Sequence, residues 1–365
     1  MTRVAGLAVE RLRVPFREPV RFGSLSAWAR VVGLVRMTTD DGREGFGEIG
    51  GLVVAEDTID AVELLDDGLR GLEVGDLPGL DRALAGLLPP IAQARELRAA
   101  LDAAMLDLEG QAIGSPMVAL FGGEPRGVRV NGLLLAGHED DDTLVARALE
   151  LCERGLTTIK VKRAPGARDV GHALQLVRDA VGPDVALRLD LNGDLTEAGA
   201  CEWLATLEGV GLEYVEQPIP PELGPDALAR VRAAAPMPVA ADEAVTDPDA
   251  AAELLLAGAC DVVVVKPARV GGPRAAHDIV TAATEAGLIA TVSTLYETGV
   301  GIAAALHVAA AAPGDRAHGL GTIGLLEDDL VADGLEIRDG RMHVPTAPGL
   351  GIGIDRAALA WYALP

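Results

Sequence analysis

Five short groups of residues in this chain have the chemistry of acid–base and metal sites: Lys160-Val161-Lys162, Asp190-Leu191-Asn192, Glu216-Gln217-Pro218, Asp242-Glu243 and Lys266-Pro267. Brought together, the carboxylates of Asp190, Glu216 and Asp242 repel one another unless a cation lies among them. An all-oxygen donor set without His or Cys favours Mg²⁺, or Mn²⁺, over Zn²⁺. One such acid alone would be read more simply as an ion-pair partner of Lys160, Lys162, Lys266 or Arg188, but three in register argue for the ion. A lysine amine becomes a general base when neighbouring positive charge and desolvation lower its pKa from about 10.4 toward 7 or 8. A carboxylate held beside a divalent ion, with a lysine on each face, is set up to lose its α-proton and be stabilised as an enediolate.

The elements that must position these groups are legible as short β-rich runs at 157–161, 185–191, 212–215, 262–265 and 289–292. From about residue 128 they alternate with Ala- and Leu-rich helical stretches at a step of about 25 residues. About eight such units suggest a closed (β/α)-barrel of the modified TIM type more than an open doubly wound sheet. Alternation puts Lys160 and Lys162 on one strand face with Ile159 and Val161 on the other, and Arg188, Asp190 and Asn192 opposite Leu187, Leu189 and Leu191. The polar face belongs inside, because the apolar face must pack the helices, and charge at the carboxyl end of a barrel strand belongs to an active site.

The N-terminal region has a different pattern. Residues 4–14 alternate, 31–38 are β-rich, and Asp40-Asp41-Gly42 signals a hairpin leading to Gly45-Phe46-Gly47-Glu48, which predicts a three-stranded antiparallel sheet. Residues 57–114 turn to helical spacing, with Leu97, Leu101, Met105 and Leu108 on one face. The predicted organisation is an α+β capping domain over 1–125, completed by about 326–365, and a (β/α)-barrel catalytic domain over 126–325.

With 365 residues, 49% of them apolar, the chain can bury a substantial core. A formal charge of −24 argues against nucleic acid or an anionic membrane surface as a partner. Cys152, Cys201 and Cys260 lack metal-type spacing and read as buried thiols in a reducing compartment. No signal-peptide pattern opens the sequence and no long uncharged apolar run follows, so a cytoplasmic protein is expected, acting on a small-molecule carboxylate. Whether copies associate as a homo-oligomer is not written in these features.

Taken in order and spacing, Lys-x-Lys, Asp-x-Asn, Glu-Gln-Pro, Asp-Glu and Lys-Pro resemble the enolase superfamily, in its muconate lactonising enzyme subgroup. The resemblance extends to the Gly45 to Glu48 end of the N-terminal sheet. It implies Lys162 as the base, Lys160 as its charge partner, Asp190, Glu216 and Asp242 as Mg²⁺ ligands, and Lys266 as the lysine of the opposite face. Asn192 and Glu243 then stand near the substrate or just behind the ligands. Strand geometry agrees with the choice of base, since Lys162 lies one residue pair nearer the carboxyl end than Lys160.

Within the subgroup, His318-Gly319-Leu320-Gly321-Thr322 lacks the Asp-x-Asp of dipeptide epimerases, and the segment from Ser293 to Gly299 lacks the His of mandelate-racemase-type members. Ser293 and Glu297 in the Ser-x-x-x-Glu-x-Gly pattern look most like o-succinylbenzoate synthase. That resemblance implies syn-dehydration of 2-succinyl-6-hydroxy-2,4-cyclohexadiene-1-carboxylate to o-succinylbenzoate, a step of menaquinone biosynthesis. N-acylamino acid racemase and muconate-type cycloisomerase are the alternatives, and a catalytically silent binding protein is the non-enzyme one. Glu297 fits equally a pocket group or an acid at a helix N-terminus. His307 and His318 read as packing and hydrogen-bonding residues. In the loop from Phe16 to Ala27, Arg21 is a candidate substrate contact and Arg17 is read as solvated.

Overall fold

The structure is a computed structural model that describes residues 2–22, 25–50, 56–86, 91–136, 140–163, 170–332 and 334–364, with only the backbone described for 21–22, 25, 56–57 and 91–94. Strands β1 (Val4–Phe22), β2 (Leu25–Thr39) and β3 (Glu44–Ile49) form the predicted antiparallel sheet. Gly42, at φ 85°, makes the tight turn between β2 and β3. Both β1 and β2 run longer than their alternation suggested, because pairing resumes at Val20↔Ala27 beyond an irregularity after Pro15.

Helices α1 (Glu56–Leu69), α2 (Leu77–Ala85) and α3 (Ile91–Ile113) follow. Leu97, Leu101, Met105 and Leu108 of α3 are all buried, in one cluster with Val35, Met37 and Ile49 of the sheet. A Cβ on Gly47 would lie 1.9 Å from the Ala100 carbonyl oxygen. Only glycine lets strand and helix backbones approach so closely.

After α4 (Met117–Leu120) and β4 (Gly127–Arg129), seven parallel strands pair in chain order: β5 (Gly132–Ala136), β6 (Thr158–Arg163), β7 (Ala186–Asp190), β8 (Leu212–Glu216), β9 (Val239–Ala241), β10 (Val262–Val265) and β11 (Ile289–Val292). Between them run α5 (Asp141–Glu153), α6 (Val170–Val181), α7 (Glu197–Ala205), α8 (Pro225–Ala234), α9 (Pro248–Leu256), α10 (Pro267–Val270) and α11 (Pro273–Glu285). The two edges of the sheet meet through residues 318–319, where Val130 bridges His318 and Ser293 bridges Gly319, both parallel. The eighth unit is therefore reduced to a seam, in an arrangement consistent with a (β/α)-barrel.

Strand alternation works as the sequence implied. Ile159, Val161, Leu187, Leu189, Val263 and Val265 join the large core, while Tyr214, Ala240, Val262 and Val264 form a separate small apolar cluster. Arg188 is fully buried, with its guanidinium 4.8 Å from the Tyr214 ring centroid. It donates to Glu213 at 2.7 Å, to Asn131 Oδ1 at 3.2 Å and to the Ala317 carbonyl at 2.9 Å, which ties β7 to the seam.

Following α12 (Gly299–Ala311), the C-terminal segment returns. Strands β12 (Ile337–Arg338) and β13 (Arg341–His343) extend from β4, and beyond α13 (Arg356–Tyr362) Ala363 bridges Leu12 of β1. No described helix is long and apolar enough to cross a membrane. All three cysteines are free, but only Cys260 is buried, whereas Cys152 and Cys201 are partly exposed.

Two histidines do structural work that requires them neutral. Nδ1 of His318 accepts from the Val292 amide at 3.0 Å and Nδ1 of His307 from the Val118 amide at 3.1 Å. Burial pushes their pKa values down to about 3 and about 4. The unfolded chain takes up these protons first, so the stability they contribute is present above about pH 6.5 and is lost as the pH falls toward those values. The variant His307→Gln is therefore expected to show a pH dependence of unfolding free energy shallower by one proton, about 1.4 kcal/mol per pH unit between pH 6 and 4.5. Urea titrations across that range measure it, and a slope equal to the parent's would refute the assignment.

Candidate active site

The register of the barrel brings Lys162, Asp190 and Glu216 into line, with Asp242 two residues past the partner of Glu216. Lys162 pairs with Asp190 across β6 and β7, and Asp190 with Glu216 across β7 and β8. Lys160 Nζ lies 2.8 Å from Asp190 Oδ2 and 2.6 Å from Glu216 Oε1, while Lys162 Nζ stands off at 3.7 Å from Asp190. Across the barrel Lys266 Nζ donates to Asp242 Oδ2 at 2.5 Å. Lys162 on β6 and Lys266 just past β10, four strands along in the sheet, line the same cavity.

These groups line or underlie a cavity of about 80 Å³ bounded also by Asn131, Leu133, Asn192, Glu243, Ser293, Tyr296 and Thr322. Asp190, Glu216 and Asp242 are almost completely buried. Burial pushes Glu216 up to about 8, and the neighbouring Asp190 and Asp242 add to the shift while Lys160 opposes it. For Asp242 burial is outweighed by Lys266 and Arg269, which hold it well below the usual carboxylate range. A carboxyl pushed toward its neutral form by burial, with two other acids adding to it, is a setting that a hard dication relieves, and an all-oxygen donor set suits Mg²⁺. Among the described residues no such group stands at metal-holding geometry, and Lys160 and Lys266 instead draw the carboxylates onto themselves.

The lysines differ from the expectation that one has a depressed pKa. Burial lowers Lys162, but Asp190, Tyr296 and Glu243 together outweigh it and the net shift is upward; Lys160 is raised further, chiefly by Asp190 and Glu216 against its burial. The physical reason is that in this arrangement the lysines are the counter-ions of the three acids. They are relieved of that role only when other positive charge reaches the carboxylates.

Asn192 occupies a left-handed backbone position, φ 45°, and its Nδ2 donates to Glu243 Oε1 at 2.9 Å. Ser293 lines the cavity as expected. Glu297 does not: it is buried on the other side of the loop, beside Glu48, and its carboxylate accepts from the Leu295 amide. Its side chain turns back on its own loop, away from the cavity that holds the lysines. The Arg21 side chain lies outside the described residues. Arg17 is not simply solvated, since it donates to the Gly324 and Glu327 carbonyls at 3.0 Å each.

Sequence reasoning missed three participants. Arg269, three residues past Lys266 in the short helix α10, pairs with Asp242 Oδ1 at 2.8 Å. Gln217, at φ 40°, accepts from the amides of Asp242 and Ala244 through Oε1 and so fixes β9 against the end of β8. Tyr296, at φ 65°, enters the cavity from the loop after β11. A charged residue one helical turn beyond Lys266 was a usable signal for Arg269; Gln217 and Tyr296 fell inside segments already singled out, Glu216-Gln217-Pro218 and Ser293 to Gly299, but their roles were not read.

Residues 143–358 match the family model described as enolase C-terminal domain-like. Among curated relatives, muconate cycloisomerase 1 of Rhodococcus opacus is 29% identical over 98% of both chains, and the L-Ala-D/L-Glu epimerase of Bacillus subtilis is 27% identical over 96% of both. The crystal structure of muconate lactonizing enzyme from Pseudomonas fluorescens, complexed with muconolactone, superposes with a TM-score of 0.88 at 27% identity, covering 100% of each chain.

Proposed function

The chain belongs to the enolase C-terminal domain-like family of the enolase superfamily, and from that premise we propose that it moves a proton at the carbon α to a small-molecule carboxylate, as a muconate-type cycloisomerase. The observation that carries this reading is that Lys162 and Lys266 line one cavity, each paired with a buried acid, Asp190 and Asp242, of neighbouring strands. Asp190, Glu216 and Asp242 would hold Mg²⁺, or Mn²⁺. When bound, the ion supplies positive charge to carboxylate oxygens as an enediolate develops. We take residues 1–125 with 326–365 as the cap and 126–325 as the catalytic barrel.

In lactone closure, a carboxylate oxygen of a diacid adds to a carbon–carbon double bond, and the carbon α to the other carboxylate must then gain a proton. Lys162 stands at the cavity wall to deliver that proton, or to remove it in the reverse direction. Lys160, held between Asp190 and Glu216, presses its charge on Lys162. Lys266 offers its ammonium to the developing negative charge from the opposite side. Lys266 is also placed for a two-base transfer, which is what epimerisation requires.

The relatives named above are a cycloisomerase, a lactonizing enzyme and an epimerase, which favours cycloisomerisation over the o-succinylbenzoate synthase reading taken from the segment 293–299. Incubation in D₂O with Mg²⁺ and cis,cis-muconate, the synthase substrate, an N-acylamino acid or L-Ala-L-Glu, followed by proton NMR, tests it. Muconate is expected to be consumed, with one deuterium entering α to the product carboxylate. Turnover of the synthase substrate alone would restore that reading, and inertness toward all four would favour a silent binding protein.

A further inference from the structure

We propose that Tyr296 is a specificity-determining residue of this cavity, and that Arg30 and Glu48, which lie outside it, are positioning residues that hold the Tyr296 phenol beside Lys162. The inference rests on reading the cavity as the active site. Tyr296, Lys162 and Leu133 are shared by the inner cavity of about 80 Å³ and an outer cleft of about 490 Å³. Whatever part of a substrate extends from the reacting carbon toward the cleft must pass these side chains.

A tyrosine at φ 65° persists only where its surroundings over-determine it. They do so here from both sides. On the cavity side the Tyr296 ring stands edge-on to Phe16 of β1, with centroids 6.0 Å apart at 88°. Behind the loop, the fully buried Arg30 of β2 donates from Nη1 to the Leu295 carbonyl at 2.5 Å, while its Nη2 lies 3.5 Å from Glu48 Oε1. Glu48 in turn accepts from the Thr298 amide at 3.0 Å, the Thr298 hydroxyl at 2.7 Å and the Gly301 amide at 3.1 Å. Leu295 just before Tyr296 and Thr298 two residues after it are thus held by Arg30 and Glu48 of the N-terminal sheet. A buried pair of this kind contributes little net stability compared with apolar packing. What it does fix is the path of the loop.

The chain has three tyrosines, Tyr214, Tyr296 and Tyr362, so ζ-¹³C-tyrosine labelling gives three resonances, of which Tyr296→Phe identifies one. In Arg30→Gln the Tyr296 resonance is expected to shift or split while the other two stay in place. Should that variant not fold, Arg30→Lys, which cannot reach both the Leu295 carbonyl and Glu48, is measured instead. A Tyr296 resonance unmoved in the folded variant overturns the positioning role, whether or not any carboxylate is turned over. With the carboxylate that the parent does turn over, Tyr296→Phe is expected to raise KM about tenfold with kcat little changed. Arg30→Gln should raise KM similarly in the parent and not at all in the Tyr296→Phe background. Additive effects, or a fall in kcat alone, overturn the specificity assignment. A parent inert toward every carboxylate defeats the α-proton reading, and the resonance shift then decides the positioning claim by itself.

Discussion

Lys162→Arg is expected to lower exchange of the substrate α-proton with D₂O by about 10²- to 10⁴-fold, the contribution typical of a positioned general base. Arginine keeps the positive charge but does not give up its proton near neutral pH, so the change isolates proton transfer from electrostatics. Lys160→Arg makes the control. Its amine is already engaged at 2.8 Å and 2.6 Å by Asp190 and Glu216, leaving Lys162, at 3.7 Å from Asp190, as the freer of the two. Measurable exchange should survive in Lys160→Arg, with a displaced pH profile. If Lys162→Arg exchanged at the parent rate, Lys266 would become the base. Equal loss in Lys162→Ala and Lys266→Ala, with only racemisation in the parent, would instead indicate a two-base enzyme.

Chelation is expected to abolish turnover completely, and Mg²⁺ to restore it. The fold should nevertheless survive, because Lys160, Lys266 and Arg269 already neutralise the buried acids. Mg²⁺ at a hundredfold its Kd then raises the unfolding free energy by about 2.7 kcal/mol. Turnover and thermal midpoint measured on one chelated and reloaded sample separate the two effects. Full activity in a metal-free preparation would remove the ion from the proposal, and unfolding on chelation would mean that the lysines do not balance the acids as described.

The barrel strands were legible because alternation and period are local. Ile159, Val161, Leu187 and Leu189 had to face helices, which sent Lys160, Lys162, Arg188 and Asp190 inward. The N-terminal sheet was legible for the same reason, down to the turn at Gly42. What could not be read depends on contacts distant in sequence. Glu297 looked like a pocket residue or a helix-terminal acid with equal justice, and its actual setting beside Glu48 comes from β3, 249 residues away (297 − 48). Arg30 gave no signal at all, since its partners, the Leu295 carbonyl and Glu48, are chosen by how sheet and barrel pack. The expected depressed lysine pKa assumed compensating positive charge on the acids; without that charge Asp190, with Tyr296 and Glu243, raises Lys162 in spite of its burial.

The seam at residues 318–319 also bears on how the molecule is assembled. Every other neighbouring pair of barrel strands is joined across one helical crossover, so each can form soon after its second strand exists. The last join has to bring His318 back to Val130 and Asn131 at the start of the barrel, with the whole set of βα units closed into the loop between them. That is the largest chain-entropy cost in the ring, met by only a few main-chain bonds. Closure is therefore expected late in folding, after the C-terminal part of the barrel has been made. Gly319, Gly321 and Thr322 line the cavity, so the cavity itself is completed only at this final step.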